Sequence, residues 1–414
     1  MKSKIITVGD EILMGHIVNS NSAYISDKLY SVGLPVEQIV TVGDNEEAIL
    51  TELRNSFGIY NVIILTGGLG PTHDDITKSV LVKFFDDELK FDEKVYENII
   101  SLFKIRGISM PETNKEQAMV PKNSKVIWNN NGTAPGIWME KDDKILIALP
   151  GVPLEMKPML DESVIPSLRE KFSESVTQVQ KNKIILTTGI SETSLFELLG
   201  NIKDITGDDC KIAFLPSFPG VKIRIDASDV NEILVNEKIS EVEKKIRAKA
   251  EDFIYGVNDD KLEKIVGDLL VEKKLTLSVA ESCSGGLFAS LITDVPGSSK
   301  YFLGGVCSYS NVSKIKLLKV KKKTIEKYGA VSEETALEMA VGVRNLFKSN
   351  VGMSVTGIAG PEGGTENKPV GLVWIGCSFE NKTFTAKHLF GDNRLRTKLR
   401  SVMMALSLLR KELI

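Results

Sequence analysis

Short apolar runs alternate with segments of helical periodicity along most of the chain, the pattern expected of strands and helices layered in an α/β fold. Ile5–Val8, Val62–Leu65 and Ile145–Leu149 read as short buried strands, and each runs straight into a turn rich in Gly, Pro or Asp. Ligands in open α/β sheets bind beyond the carboxyl ends of strands, so those turns are where chemistry is expected. From about Phe172 to Asp252 the character changes. A strand Lys183–Thr188 and a helix from Ser191 precede a strand pair, Lys211–Leu215 and Val221–Ala227, turned by Pro216–Gly220. A charged helix from about Asn231 to Lys249 completes this segment, which carries no catalytic constellation and reads as a small α+β connecting domain.

The last block begins near Phe253. Strands are expected at Thr276–Ala280, Gly305–Tyr309, Val351–Val355 and Val370–Ser378, with helices between them. Ala336, Met339, Ala340, Val343, Leu346 and Phe347 repeat with helical spacing after Ser332, a good N-cap followed by Glu333 and Glu334. The closing helix carries Leu399, Val402, Met403, Leu406 and Leu409 on one face. Three domains are expected, over 1–168, 169–252 and 253–414; a chain of 414 residues is too long for one ordinary core.

Composition narrows the function classes. A formal net charge of −3 with 26% charged residues argues against a general nucleic-acid or membrane surface. The basic run Lys319–Lys323 is short and reads as a solvated face. The four cysteines form no CxxC pair, and the three histidines lie far apart, which disfavours a His/Cys metal cage. Met1 leads directly into a strand-like run with no signal peptide ahead of it, and no apolar stretch is long enough to span a bilayer. A cytoplasmic location is expected.

Two groups of turns carry the candidate chemistry. In the C-terminal block the strand Thr276–Ala280 runs into Glu281-Ser282-Cys283-Ser284-Gly285-Gly286 and a helix Leu287–Thr293. A serine there either caps the helix or presents its hydroxyl beside free N–H groups able to stabilise an oxyanion. Cys307-Ser308-Tyr309-Ser310-Asn311-Val312-Ser313-Lys314 brings a phenol and an amine to a strand end. Thr356-Gly357-Ile358-Ala359-Gly360-Pro361-Glu362-Gly363-Gly364 is a Gly-rich loop whose backbone can approach phosphate. Gly391-Asp392-Asn393-Arg394, with Arg396 and Lys398, supplies cations.

In this order, AESCSGG, VCSYSNVSK, GAVSEETA, TGIAGPEGGTENKPVG and FGDNR closely resemble the CinA C-terminal family of nicotinamide-nucleotide amidases, over essentially all of residues 260–414. The resemblance implies metal-free hydrolysis of nicotinamide mononucleotide to nicotinate mononucleotide and ammonia. It implies Ser282 as nucleophile, Lys314 as its base and Tyr309 hydrogen-bonded to one of the pair. Glu281, Cys283, Gly285, Gly286, Thr356, Gly357, Ala359, Gly360, Gly364 and Arg394 are the implied substrate contacts. Here Asn393 intervenes in the acidic-Arg motif, so Arg394 or Arg396 could hold the phosphate. Cys283 is the competing nucleophile, because a thiolate is intrinsically stronger.

At the N-terminus, Gly9-Asp10-Glu11-Ile12-Leu13 with Val18-Asn19-Ser20-Asn21 opens the chain, and Thr66-Gly67-Gly68-Leu69-Gly70-Pro71-Thr72-His73-Asp74-Asp75 follows a strand. Glycines there let backbone approach an anion, and Asp74 with Asp75 either complement a helix dipole or offer hard oxygen ligands. With NKEQA, GTAPG and LPGVPLEM, these motifs resemble the molybdopterin-binding-like domain of CinA proteins, over about residues 1–168. The resemblance implies a three-layer α/β domain that hydrolyses ADP-ribose to AMP and ribose 5-phosphate. A divalent ion (Mg, Mn or Co), with potassium, would sit among Asp10, Asp74, Asp75 and Glu155, and Gly67, Gly68 and Gly70 would meet the phosphates. The alternatives are a molybdopterin-handling domain and a competence or recombination adaptor. A homodimer with small-molecule nucleotide partners, without membrane or direct nucleic-acid contact, is expected.

Overall fold

The computed structural model describes residues 1–173, 179–391 and 393–414. It is an α/β protein whose chain divides into two compact units, residues 1–182 with 227–237 and residues 183–226 with 238–414.

The first unit is built on a six-stranded sheet in the order Val36–Val42, Ser3–Val8, Val62–Thr66, Lys144–Leu149, Gly136–Lys141, Lys125–Ile127. The first four strands are parallel and the last two antiparallel. The central strands are apolar without alternation because both faces are covered, as parallel sheets require. Ile5, Ile64 and Ile147 pack on one side, and Ile6, Ile63, Leu65 and Leu146 on the other. The strand Val36–Val42 went unread in the sequence; half-exposed residues and interspersed Glu37, Gln38 and Thr41 blur its pattern.

The second unit holds a five-stranded sheet in the order Phe302–Cys307, Leu277–Glu281, Val351–Gly357, Leu372–Ser378, Thr383–Leu389. Its first three strands are parallel and its last two antiparallel. The expected strand Gly305–Tyr309 begins three residues earlier and ends two earlier, at Phe302–Cys307, and Ser308–Ser310 instead form the turn that opens the next helix. The closing helix Arg394–Leu413 buries Val402, Leu406 and Leu409 on this sheet, whereas Leu399 is 41% exposed and so leaves the expected core stripe. Phe288 is fully buried in this core; truncating such a side chain typically costs about 3–5 kcal/mol.

The segment expected to connect the two ends forms a four-stranded sheet in the order Cys210–Pro216, Val221–Asp229, Val179–Thr187, Ile254–Val257, with the helix Glu232–Ala250. Among the described residues no helix is long and apolar enough to cross a membrane.

Candidate functional site

In each large sheet the first strand in sequence lies between its two sequence successors, so the order reverses at that strand. Crevices form at such switch points. In the second unit the crevice opens between the ends of Leu277–Glu281 and Val351–Gly357. Ser282, Cys283, Tyr309, Lys314, Ala330, Val331, Thr356, Gly357, Ala359 and Arg394 line a cavity of about 190 Å³ there.

Lys314 Nζ lies 3.0 Å from Ser282 Oγ, 2.7 Å from the Ser308 carbonyl and 3.4 Å from the Tyr309 carbonyl. The lysine is only 1% exposed, and Ser282 8%. Lys314 joins no ion pair among the described residues. Taking an ammonium out of water without a carboxylate partner is costly, on the order of several kcal/mol even after the surroundings relax. Burial accordingly pulls the Lys314 pKa below the usual lysine value, while the Cys283 and Cys307 thiols pull weakly the other way. Lys314 Nζ donates to Ser282 Oγ as it does to the two carbonyls, and in its neutral form the same amine can accept the serine proton. Such a pair is able to serve as base and nucleophile.

Several expected contacts are placed otherwise. Glu281 is 2% exposed, and its carboxylate accepts from the N–H groups of Gly286, Phe288 and Ala289 at 3.0, 2.9 and 2.9 Å. It caps the following helix and does not face the cavity. The same bonds overturn the expectation of an oxyanion site at that helix start, because a carboxylate already occupies it. The Gly285 and Leu287 amides are also taken, by the Ser282 and Ser284 carbonyls, and those of Cys283 and Ser284 are directed at the Cys283 sulfur. Gly285 is exposed and Gly286 serves Glu281, so neither lines the cavity. Gly364 is exposed beyond it.

The Tyr309 hydroxyl does not reach Ser282 or Lys314: Arg394 Nη2 donates to it at 3.1 Å, and only the Tyr309 carbonyl meets the lysine. Arg394 Nη1 donates to the Gly360 carbonyl at 2.8 Å, so Gly360 orients the arginine from behind the cavity wall. Arg394 lines the cavity and Arg396 does not. Asp392 lies outside the described residues. The Thr356 hydroxyl donates to the Ala330 carbonyl at 2.8 Å. The Cys283 thiol is buried against the core, and its pKa is pushed up to about 12 by that burial. A thiol so held is protonated at neutral pH and is a poor competitor for the serine. Neither Ala330 nor Val331 was expected in the site from sequence, although both lie in the GAVSEETA segment; apolar side chains carry no chemical signal of their own.

In the first unit the crevice lies beyond Ser3–Val8 and Val62–Thr66 and is larger, about 600 Å³. Gly67, Gly68 and Gly70 line it, with Asp74, Asp75 and Glu155. A Cβ on Gly67 would stand 2.1 Å from the Val8 carbonyl oxygen, and φ there is +114°, so only glycine lets the two strand ends close together. The Glu155 carboxylate packs against Gly132 of the GTAPG motif, its Oε2 lying 2.0 Å from where a Cβ would stand.

The expected carboxylate set is dispersed. Asp10 is outside the wall, exchanging hydrogen bonds with Asp44, and Asp44 and Glu11 line the cavity in its place. Asp75 accepts from the Thr72 amide and hydroxyl, Glu155 accepts from Asn129 at 2.7 Å, and Asp74 pairs with His73 at 2.7 Å. Among the described residues no three such groups come close enough to hold a metal ion by themselves, which corrects the four-carboxylate cage. The donor set is all oxygen, suited to a hard cation, and no lysine or arginine is among the lining residues. It therefore fits a cation held by one or two carboxylates and completed by phosphate oxygens. Asp44 escaped notice in the sequence because it follows the strand Val36–Val42, which was itself missed.

Residues 259–413 match the model of the CinA C-terminal domain, residues 4–170 that of a probable molybdopterin binding domain, and residues 182–256 that of the damage-inducible protein CinA KH domain. A competence-damage inducible protein of Clostridium botulinum (strain ATCC 19397 / Type A) is 43% identical over 413 residues, covering 100% of both chains. One from Caldanaerobacter subterraneus subsp. tengcongensis is 44% identical over 413 residues, covering 100% of this chain and 98% of its own. The crystal structure of competence/damage inducible protein CihA from Agrobacterium tumefaciens is 38% identical, covering 36% of this chain and 92% of its own, with a TM-score of 0.36.

Proposed function

The chain belongs to the CinA family, and on that premise we propose that its C-terminal half hydrolyses the carboxamide of nicotinamide mononucleotide, releasing ammonia and nicotinate mononucleotide. The observation that carries this reading is the 3.0 Å contact between a buried lysine amine and the Ser282 hydroxyl at a switch-point crevice. Ser282 Oγ attacks the amide carbon while its proton passes to Lys314 Nζ. The tetrahedral intermediate expels ammonia with the proton returned by Lys314, leaving a nicotinyl ester on Ser282. Water, deprotonated by the same amine, then cleaves the ester and regenerates the serine. Arg394, at the exposed mouth, is the cation for the substrate phosphate. No cofactor enters this cycle. The test is ammonia release from nicotinamide mononucleotide in the presence of a chelator; no release by the intact protein would overturn the reading.

For the N-terminal half we propose hydrolysis of ADP-ribose to AMP and ribose 5-phosphate. The supporting observation is a cavity of about 600 Å³ whose wall joins glycine backbone to carboxylates without a basic side chain. A divalent ion, with potassium as a second ion, would neutralise charge on the diphosphate when bound, held by carboxylates among Asp44, Asp74, Asp75 and Glu155. Gly67, Gly68 and Gly70 let backbone approach the phosphates. A molybdopterin-handling activity is the second reading, favoured by the domain match at residues 4–170. Assay with ADP-ribose against molybdopterin plus ATP separates the two.

Cytoplasmic small-molecule chemistry in a homodimer completes the proposal. A direct nucleic-acid role for the middle segment draws no support from its loop. Between the helices Glu192–Leu199 and Ile202–Thr206 stand only Gly200 and Asn201, where a nucleic-acid-clamping KH module places GXXG. An adaptor role would require that a Ser282→Ala, Asp75→Asn double variant still support transformation.

A further inference from the structure

Between the helices Lys322–Tyr328 and Glu333–Phe347, the segment Gly329–Ser332 belongs to no helix or strand, and it contributes Ala330 and Val331 to the wall of the smaller cavity. Four successive backbone carbonyls, from Tyr328 to Val331, are nevertheless each taken by a side chain. Lys368 Nζ donates to the Tyr328 and Val331 carbonyls, the latter at 2.8 Å. Thr335 and Ser332 hydroxyls donate to the Gly329 carbonyl at 2.8 and 3.1 Å, and Thr356 donates to that of Ala330 at 2.8 Å. Lys368 is itself fixed by a tight turn in which the Thr365 amide donates to its carbonyl at 2.8 Å and its own amide returns a bond to the Thr365 carbonyl at 3.1 Å. It comes from the loop running from Gly357 to Gly371, the stretch that carries Gly357 and Ala359, which also line the cavity.

We propose that Lys368 is a positioning residue that clamps the Gly329–Ser332 wall to the Gly-rich loop and so keeps water away from the Ser282–Lys314 pair. The ammonium ties the ends of the segment together from outside the cavity, two of its three hydrogens going to peptide oxygens, and Lys368 is not among the residues that line the cavity. A lysine serves here because one tetrahedral ammonium reaches two carbonyls three residues apart. Releasing it leaves the wall held by hydroxyls alone at its middle. Water then gains access to Lys314, and the burial that depresses its pKa is relieved. The other titratable groups facing that amine are Cys283 and Cys307, which act on its charge, with Tyr309 and Arg394 on the same cavity.

This inference rests on the serine–lysine reading, and its test carries an arm independent of any substrate. Lys368→Met and Lys368→Arg are compared with the intact protein in three measurements: hydrogen exchange over residues 328–336, the pH dependence of Ser282 sulfonylation by a small sulfonyl fluoride, and kcat/KM for the amide. Lys368→Met is expected to raise exchange in that segment and shift the pH limb of sulfonylation upward, toward the free-lysine value. It should also lower kcat/KM by about 100-fold, the scale of an ångström-size misplacement, while the melting temperature stays close to that of the intact protein. Lys368→Arg, retaining charge and donors, is expected to recover much of the exchange protection and of the limb. Unchanged exchange and an unchanged limb in Lys368→Met overturn the clamp. Faster exchange without amide turnover in the intact protein keeps the clamp and discards the substrate.

Discussion

The two crevices occupy the same topological position in two unrelated sheets, yet one is assembled and the other is not. In the C-terminal crevice the Ser282 hydroxyl and the Lys314 amine are already in hydrogen-bond contact, in a cavity of about 190 Å³. In the N-terminal crevice, of about 600 Å³, Asp44, Asp74, Asp75 and Glu155 are each committed to a neighbour of their own and, among the described residues, no three carboxylates converge. The difference follows from what holds each group in place. A buried amine has few ways to satisfy its hydrogens, so Lys314 is locked by the Ser308 and Tyr309 carbonyls. Solvated carboxylates can take local partners at little cost, and they gather only when a ligand of opposite charge supplies the reason. On the proposed reading, a preformed site and a ligand-completed site share one scaffold position.

The sharpest break in that comparison comes from Ser282→Ala, which should reduce ammonia release by at least about 10⁴-fold, the loss typical of an absent nucleophile, with ADP-ribose hydrolysis unaffected. Asp75→Asn is the reciprocal change: AMP formation from ADP-ribose should fall about 100-fold or more, as for loss of one transition-state charge contact, with ammonia release intact. Loss of both activities in either variant would point to unfolding and end the assignment. Glu281→Ala comes next, read by thermal or urea unfolding. Three N–H groups at a buried helix start lose their acceptor, for a cost of about 3 kcal/mol. A variant of unchanged stability but weakened substrate binding would return Glu281 to the substrate.

The pH profile sharpens the assembled side of the comparison. Lys314 acts as a base only when neutral, so kcat/KM should rise with pH through its folded-state pKa, and burial sets that limb below the value of about 10.4 for a free lysine. The same shift has a stability consequence. The folded state holds the proton less tightly than the unfolded chain, so the cost of the buried ammonium is full below the depressed pKa. It disappears as pH rises toward the unfolded value. A limb at or above the free-lysine value would remove Lys314 as the base. Smallest of all is Cys283→Ala, expected to retain ammonia release within about a few-fold and to cost roughly 1 kcal/mol of packing; complete loss would exchange the roles of thiol and hydroxyl.

Much of the fold was legible in the chain. Buried strands such as Ile5–Val8 and Val351–Val355 announced themselves because a two-sided core demands continuous apolar residues, and Ser332 announced a helix because an exposed amide end demands an acceptor. Edge strands such as Val36–Val42 and Thr383–Leu389 did not, since only part of each is covered and their polar residues break the pattern. The Ser282 and Lys314 motifs were visible as residue types at strand ends. Glu281 could not be sorted from them: adjacency in sequence says nothing about which way a side chain leaves the strand.

Local chemistry in the sequence determined which segments would be strands, where many of the turns would fall, and that a hydroxyl and an amine would each follow a strand. Only the tertiary structure decided that the amine is buried beside the hydroxyl, that Glu281 turns away to cap a helix, and that Asp44 replaces Asp10 at the N-terminal crevice. The reason is that burial, reach and hydrogen-bond partnership depend on residues distant in the chain, and no local pattern encodes which of two nearby polar groups will be the one left facing the cavity.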